Sequence, residues 1–194
     1  MYIGDYIDRG FQSREVIDYL LDFPLPRFES HYLKGNHEEQ LLDFFDDPKA
    51  GDGWLLYGGD ATLFSYGIQI PIGQNSEDKL NQLQNAIKYA IPQRHQEFLS
   101  NLELTVNFGD YMFVHAGINP YEPMNKQKPS DLLWIRSEFL ECDSNFGKVI
   151  IHGHSISDVP EIRENRIGID TGAYASNKLT CVVLEGSEYR FLST

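Results

Sequence analysis

The chain has 194 residues, 41% of them hydrophobic, and a formal net charge of −13. That length and composition suit one domain with a sizeable core, and no apolar run reaches the roughly 18 to 20 residues that a membrane span needs. So acidic a balance argues against a nucleic-acid backbone as partner, although bound divalent cations and a few arginines can make one pocket positive on an acidic protein. Neither end shows a signal-peptide pattern, so the expected location is the cytoplasm, with no membrane partner. Cys142 and Cys181 form no C-x-x-C spacing, and both are read as buried small hydrophobes beside apolar stretches.

In chain order, strand-like runs fall at Tyr2-Ile3 and at His31 to Leu33, with a helix between them. Ser13 is placed to cap that helix, whose apolar face is Val16, Ile17, Leu20 and Leu21 and which stops before Pro24. A second helix is expected from about Glu38 to Phe45, with Leu41, Leu42 and Phe45 as its stripe. A third and a fourth, about Ser76 to Ala90 and Gln93 to Leu102, are separated by Pro92. Gly51, Gly53, Gly58 and Gly59 read as turns. The region from about 44 to 102 thus looks like a helical insertion, a lid or a wall. Later strands are expected at Tyr111 to Val114, Val149 to Ile151, Ile167 to Ile169, and Leu179 to Leu184 with Tyr189 to Leu192. Strand and helix alternate early and strands dominate late, which predicts an α/β class with layered sheets in a single domain over 1–194.

Four of the strand-like runs end in a polar residue able to bind metal: Asp5, Asn36 (after Gly35), His115 and His154. Ligands of α/β sheets gather beyond the carboxyl ends of strands, so four strands delivering Asp, Asn, His and His would build a metal site. In Gly4-Asp5-Tyr6-Ile7-Asp8-Arg9-Gly10, three charged groups in five positions suit metal bridging by Asp5, phosphate gripping by Arg9 and orientation of a histidine by Asp8. The bland alternative is a solvated acidic turn with an Asp-Arg pair, worth little. Asn36 in Gly35-Asn36-His37-Glu38 reads, taken alone, first as a helix N-cap and second as an amide ligand for a hard or borderline divalent ion, and the two are compatible. Imidazoles at strand ends are often structural, but two on separate strands favour metal binding. Of His152 and His154, the second is preferred as ligand, with His152 packing or hydrogen-bonding behind it. His31 and His95 have no matching partners and are read as non-catalytic.

Taken in order, Gly4-Asp5-x-x-Asp8-Arg9-Gly10, Gly35-Asn36-His37-Glu38, His115-Ala116-Gly117 and Gly153-His154 resemble the motifs of the phosphoprotein phosphatase branch of calcineurin-like metallophosphoesterases. Leu133-Trp134-Ile135-Arg136 and Ile169-Asp170-Thr171-Gly172-Ala173 are similar to segments of its bacterial members, and the likeness covers essentially the whole chain. The resemblance implies a layered α/β/β/α sandwich and two divalent metal ions, Mn²⁺ ahead of Fe, Zn or Mg. It implies Asp5 as the bridging ligand and Asn36, His115 and His154 as ligands of the second metal. His37 becomes the general acid, oriented by Asp8, while Arg9 and Arg136 become the phosphate-binding arginines. The implied reaction is hydrolysis of phosphoserine and phosphothreonine in proteins, by a hydroxide held between the two metals.

The family also carries an upstream Asp-x-His motif for its first metal, which this sequence does not show. The expectation is that the 194 residues are a fragment lacking the first strand-helix unit, with an incomplete first metal site and little turnover; a natural, impaired short form is the competing explanation. Two further functions stand beside the phosphatase. One is a dinucleoside polyphosphate hydrolase, and the other a non-catalytic phosphate- or metal-binding module.

Overall fold

The computed structural model describes residues 1–71, 76–186 and 188–194. It divides into two compact units, Tyr2–Leu102 and Glu103–Thr194 with Met1. Residues 72–75 of the 44–102 region lie outside the described residues.

The unit Tyr2–Leu102 begins with a parallel bridge between Tyr2 and Tyr32 rather than a pair of full strands. Tyr2 N–H donates to the His31 carbonyl and Leu33 N–H to the Tyr2 carbonyl, both at 2.9 Å, and the two tyrosine rings stack at 5.0 Å. Helices follow: α1 (Ser13–Asp22), α2 (Asn36–Asp46), α3 (Ala50–Trp54), a kinked turn (Leu55–Gly59), α4 (Asp60–Ser65), α5 (Ser76–Ala90) and α6 (Gln93–Ser100). Their core gathers Ile17, Leu41, Phe44, Trp54, Leu83 and Leu99, all essentially closed to solvent.

Details of these helices differ from the sequence reading. Gln12, not Ser13, stands at the N-cap of α1, because the Ser13 hydroxyl instead accepts the Asp8 N–H at 3.1 Å. Ile17 and Leu20 are buried while Val16 is exposed, so the apolar stripe is narrower than the pattern suggested. In α2 the buried apolar residues are Leu41 and Phe44, with Leu42 and Phe45 only half-buried. Gly51 and Gly53 sit inside α3 rather than in turns. A Cβ on Gly51 would lie 2.5 Å from the Phe44 ring, so this glycine serves close packing of α3 on α2.

The second unit holds a five-stranded mixed sheet in the order β1-β2-β3-β5-β4 and a separate β6-β7 hairpin. Its strands are β1 (Thr105–Phe108), β2 (Tyr111–Val114), β3 (Val149–His152), β4 (Glu161–Ile162), β5 (Arg166–Gly168), β6 (Thr180–Glu185) and β7 (Glu188–Ser193). Strands β2, β3 and β5 run parallel, and β1 and β4 are antiparallel edges. Short helices α7 (Pro129–Trp134), α8 (Ser137–Leu140) and α9 (Ala173–Ser176) complete the unit. Met112, Val114, Ile118, Leu132, Phe139 and Ile150 form its core. The expected α/β class is therefore observed, with a mixed sheet and helices. Cys142 is only half-buried and Cys181 is exposed; the latter lies on a strand of the isolated hairpin, where alternation turns it outward. None of the described helices is long and apolar enough to cross a membrane.

Candidate active site

In the unit Tyr2–Leu102, the loop from Gly4 to Gly10 is shaped by one buried carboxylate. Glu38, in the first turn of α2, is fully buried. Its Oε2 accepts N–H groups from Asp5 at 2.9 Å and Gly35 at 2.8 Å, and its Oε1 accepts those of Tyr6 at 2.7 Å and Ile7 at 3.3 Å. One side chain thus caps its own helix through Gly35 and fastens the loop that carries Asp5 and Asp8. With Gly35 at the N-cap and Glu38 three residues on, Asn36 is the first residue of the helix and does not cap it. Asn36 is buried and the adjacent Asp5 strand end is exposed. A Cβ on Gly35 would fall 2.2 Å from Asp5 Oδ1, so the Asp5 carboxylate rests on the bare backbone of residue 35, next to Asn36.

Asp8 and His37 form a buried pair: His37 Nδ1–H donates to Asp8 Oδ2 at 2.7 Å, and the two side chains are 4% and 0% exposed. Thr62 Oγ1 donates to Asp8 Oδ1 at 2.6 Å, and Trp54 Nε1–H is shared between both Asp8 oxygens at 3.1 and 3.0 Å. Burial pushes the Asp8 carboxyl above the usual carboxylate range, against the pull of His37, Thr62 and Trp54. Burial alone would push the His37 imidazole down, but the Asp8 hydrogen bond and the charges of Asp5, Asp8 and Glu38 outweigh it, and its pKa lies above the ordinary histidine value. A histidine whose Nδ1–H is anchored on a carboxylate presents Nε2 as the atom that gains and gives up the second proton. Arg9 is exposed, with its backbone N–H on the Gly58 carbonyl at 3.0 Å and its Nε on the Tyr57 carbonyl at 3.4 Å.

In the second unit, parallel strands β2 and β3 end side by side, and each is followed by a buried histidine. The His115 and His154 rings lie 5.1 Å apart, centroid to centroid, at 65°, and the Gly153 N–H donates to the His115 carbonyl at 2.8 Å. Trp134 stands edge-on to His154 at 6.1 Å. Arg136, exposed at the start of α8, donates from Nη1 to the His154 carbonyl at 3.2 Å and to Ser155 Oγ at 3.4 Å, so it braces the His154 loop. His152 is buried behind the pair: its Nδ1–H donates to the Gly153 carbonyl at 3.1 Å, and Nε2 accepts from the fully buried Arg166 at 3.2 Å. Burial pushes His152 down to about 4. Arg166 also donates to the Leu140 carbonyl at 3.1 Å and to Glu161 at 2.8 Å. His31 pairs only loosely with Glu29, at 3.6 Å, and His95 is buried between Tyr66 and Asp18.

Six described non-glycine residues have positive φ, and four of them are Asp5 (60°), Asp8 (74°), Arg9 (61°) and His154 (62°). That left-handed region costs an L-residue roughly 1 to 2 kcal/mol, and such conformations concentrate where function over-determines the backbone. Among the described residues, no three His, Cys, Asp or Glu side chains gather as a ready-made metal cluster within either unit. The donor types nevertheless fit a borderline divalent cation. In the second unit, two imidazoles at 5.1 Å suit shared ligation with nitrogens ~2.1 Å from one ion; in the unit Tyr2–Leu102, a carboxylate beside an amide oxygen offers harder donors.

A layered α/β chain with metal-type donors at its strand ends and a carboxylate-anchored histidine has the make-up of a metal-dependent phosphoesterase. The chain belongs to the calcineurin-like phosphoesterase family, whose model matches residues 1–182. It is similar to serine/threonine-protein phosphatase 2 of Escherichia coli K12, at 30% identity over 92% of this chain and 76% of that protein. It also resembles the asymmetrical bis(5'-nucleosyl)-tetraphosphatase PrpE of Bacillus mycoides KBAB4, at 23% identity over 92% of this chain and 72% of that protein. A solved structure provisionally described as a diadenosine tetraphosphatase shares its fold, with a TM-score of 0.64 at 17% identity, covering 98% of this chain and 78% of that one.

Glu38, Trp54, Thr62 and Arg166 are the residues whose roles sequence reasoning missed. A signal existed for Glu38 alone, since Gly35 followed three residues later by a glutamate is capping-box spacing. The contacts of Trp54 and Thr62 with Asp8 span 46 and 54 residues, beyond any local pattern.

Proposed function

We propose that the protein is a phosphomonoesterase that removes phosphate from phosphoserine and phosphothreonine in proteins or peptides. The observation that carries this reading is the buried Asp8–His37 pair at 2.7 Å. A serine or threonine alkoxide is a poor leaving group and needs a proton as the ester bond breaks, whereas a nucleotide leaving from a polyphosphate is stable as an anion. A carboxylate-held imidazole is the group an alkyl phosphate demands.

Asp5, Asn36, His115 and His154 would hold the divalent ions, Mn²⁺ being the first ion to try. When bound, these ions supply Lewis-acid activation of the attacking water and neutralise phosphoryl charge. Arg9 binds the phosphoryl oxygens through planar guanidinium hydrogen bonds, and Arg136, which braces the His154 loop, is the second candidate for that task. His37 delivers its Nε2 proton to the leaving oxygen. Asp8 keeps the imidazole charged and correctly turned until then.

The similarity to tetraphosphatases favours a second reading, hydrolysis of dinucleoside polyphosphates. A competition assay separates the two: one reaction offers a phosphoserine peptide and diadenosine tetraphosphate in the presence of Mn²⁺. The phosphatase reading expects the peptide to win, and expects His37→Asn to abolish peptide turnover by about a hundredfold or more. Preferential cleavage of the dinucleotide, indifferent to His37→Asn, would overturn it.

A further inference from the structure

Trp54, Gly58 and Thr62 are spaced four residues apart across two helical segments that meet at a kink at Gly58, and all three address the Asp8-Arg9 dipeptide. Trp54 and Thr62 are fully buried. Trp54 Nε1–H divides between the Asp8 oxygens at 3.1 and 3.0 Å. Thr62 both donates its hydroxyl to Asp8 Oδ1 at 2.6 Å and accepts the Asp8 N–H at 2.8 Å. Gly58 accepts the Arg9 N–H at 3.0 Å. Its φ of 107° kinks the chain between α3 and α4, and a Cβ there would lie 2.7 Å from Arg9 Cγ and 2.8 Å from Arg9 N.

We propose that this face is a positioning element for the chemistry of the site, which makes the 54–62 helices a scaffold rather than a cover. Trp54 and Thr62 occupy the Asp8 lone pairs that do not face His37, so the carboxylate has one orientation and the imidazole one acceptor. Gly58 gives Arg9 the room and the backbone anchor that hold its left-handed conformation. Neither Trp54 nor Thr62 touches a phosphate in this scheme; both act through Asp8 and His37. The inference rests on the roles given to Asp8, His37 and Arg9 above.

The test uses the full chain with ¹⁵N-labelled histidine. In the wild type, the His37 Nδ1–H should give a slowly exchanging imidazole resonance. Thr62→Val and Trp54→Phe, which delete a donor while keeping most of the volume, should speed its exchange at least about tenfold, and Thr62→Ser should restore it. An unchanged resonance in Thr62→Val overturns the inference, even should Trp54→Phe fail to fold. Activity gives an independent arm through two aryl esters. Phenyl phosphate needs leaving-group protonation and 2,4-dinitrophenyl phosphate does not. Both variants, like His37→Asn, should lose about tenfold or more on the first and less than about threefold on the second. Equal losses on both esters would indicate a merely structural role and overturn the inference. Gly58→Ala should weaken inhibition by inorganic phosphate about tenfold, and unaltered inhibition removes Arg9 from the proposal. A wild type that cleaves neither ester sinks the phosphatase reading, while the imidazole resonance still decides the positioning role.

Discussion

Replacing Glu38 by glutamine changes one atom, yet it should be among the most damaging conservative substitutions in the unit Tyr2–Leu102. The carboxylate accepts four backbone N–H groups, two on each oxygen: Asp5 and Gly35 on Oε2, Tyr6 and Ile7 on Oε1. A glutamine keeps one oxygen and turns an amide NH₂ towards the other two donors, whichever way it is oriented. Two charge-assisted bonds are lost, each worth about 1.5 to 3 kcal/mol, and two buried donors face a third. Water reaching the exposed Asp5 end relieves part of this, which leaves about 3 kcal/mol. Against the 5 to 15 kcal/mol that typically holds a folded domain, that should move the midpoint of urea unfolding down by about 1 to 3 M. Amide hydrogen exchange at Asp5, Tyr6 and Ile7 should accelerate in parallel. A Glu38→Gln protein within about 0.5 kcal/mol of wild type, with those amides still protected, would refute the account of how this loop is held.

Other outcomes follow from the same geometry. Asp8→Asn removes the carboxylate that anchors His37 Nδ1, and kcat on a phosphoserine peptide should fall about a hundredfold with KM little changed, as steady-state kinetics would report. Gly35→Ala would force a Cβ to within 2.2 Å of Asp5 Oδ1; Mn²⁺ titration should find affinity reduced about tenfold or more, and unchanged affinity would remove Asp5 from the ligand set. Arg166→Met strands the Leu140 carbonyl and His152 Nε2 without their donor, so urea unfolding should register a loss of about 3 kcal/mol. In chelator-treated protein, His152, pushed by burial to about 4, stays neutral in the fold while the unfolded imidazole titrates near pH 6.5. The unfolded chain therefore binds the extra proton between those values: this contribution is whole above about pH 6.5 and is lost as pH falls to about 4, by roughly 3 kcal/mol. His152→Gln should flatten that part of the stability–pH profile.

What the sequence made legible was mostly local. The 3.6-residue period of Ile17 and Leu20 identified α1, and the apolar runs ending at Val114 and at Ile151 identified the parallel strands that carry His115 and His154. Strands β1 and β4 escaped because they are edges: only Val106 is buried in the first, and the second is two residues long. Gly51 suggested a turn because a glycine needed for close packing on Phe44 looks, in sequence, like one needed for chain reversal. Asn36 carried a capping signal that belonged to Gly35 and Glu38. The partners of Asp8 could not be found by spacing at all. His37, Trp54 and Thr62 lie 29, 46 and 54 residues away, and their approach is set by packing of Trp54 on Phe44 at 5.2 Å within the helical core. Arg166 stands just before the apolar run Ile167 to Ile169, where nothing local marks it as buried, yet its guanidinium is buried against Phe139 at 5.9 Å.

Ion binding by four single variants, Asp5→Asn, Asn36→Ala, His115→Ala and His154→Ala, tests the proposed chemistry most directly. Calorimetric titration of Mn²⁺ into each folded variant should show affinity weakened about tenfold or more relative to wild type, since even supporting residues of metal ligands carry that much. A folded variant that takes up the ion as tightly as the unaltered chain would contradict the metal assignment on which the phosphatase reading stands.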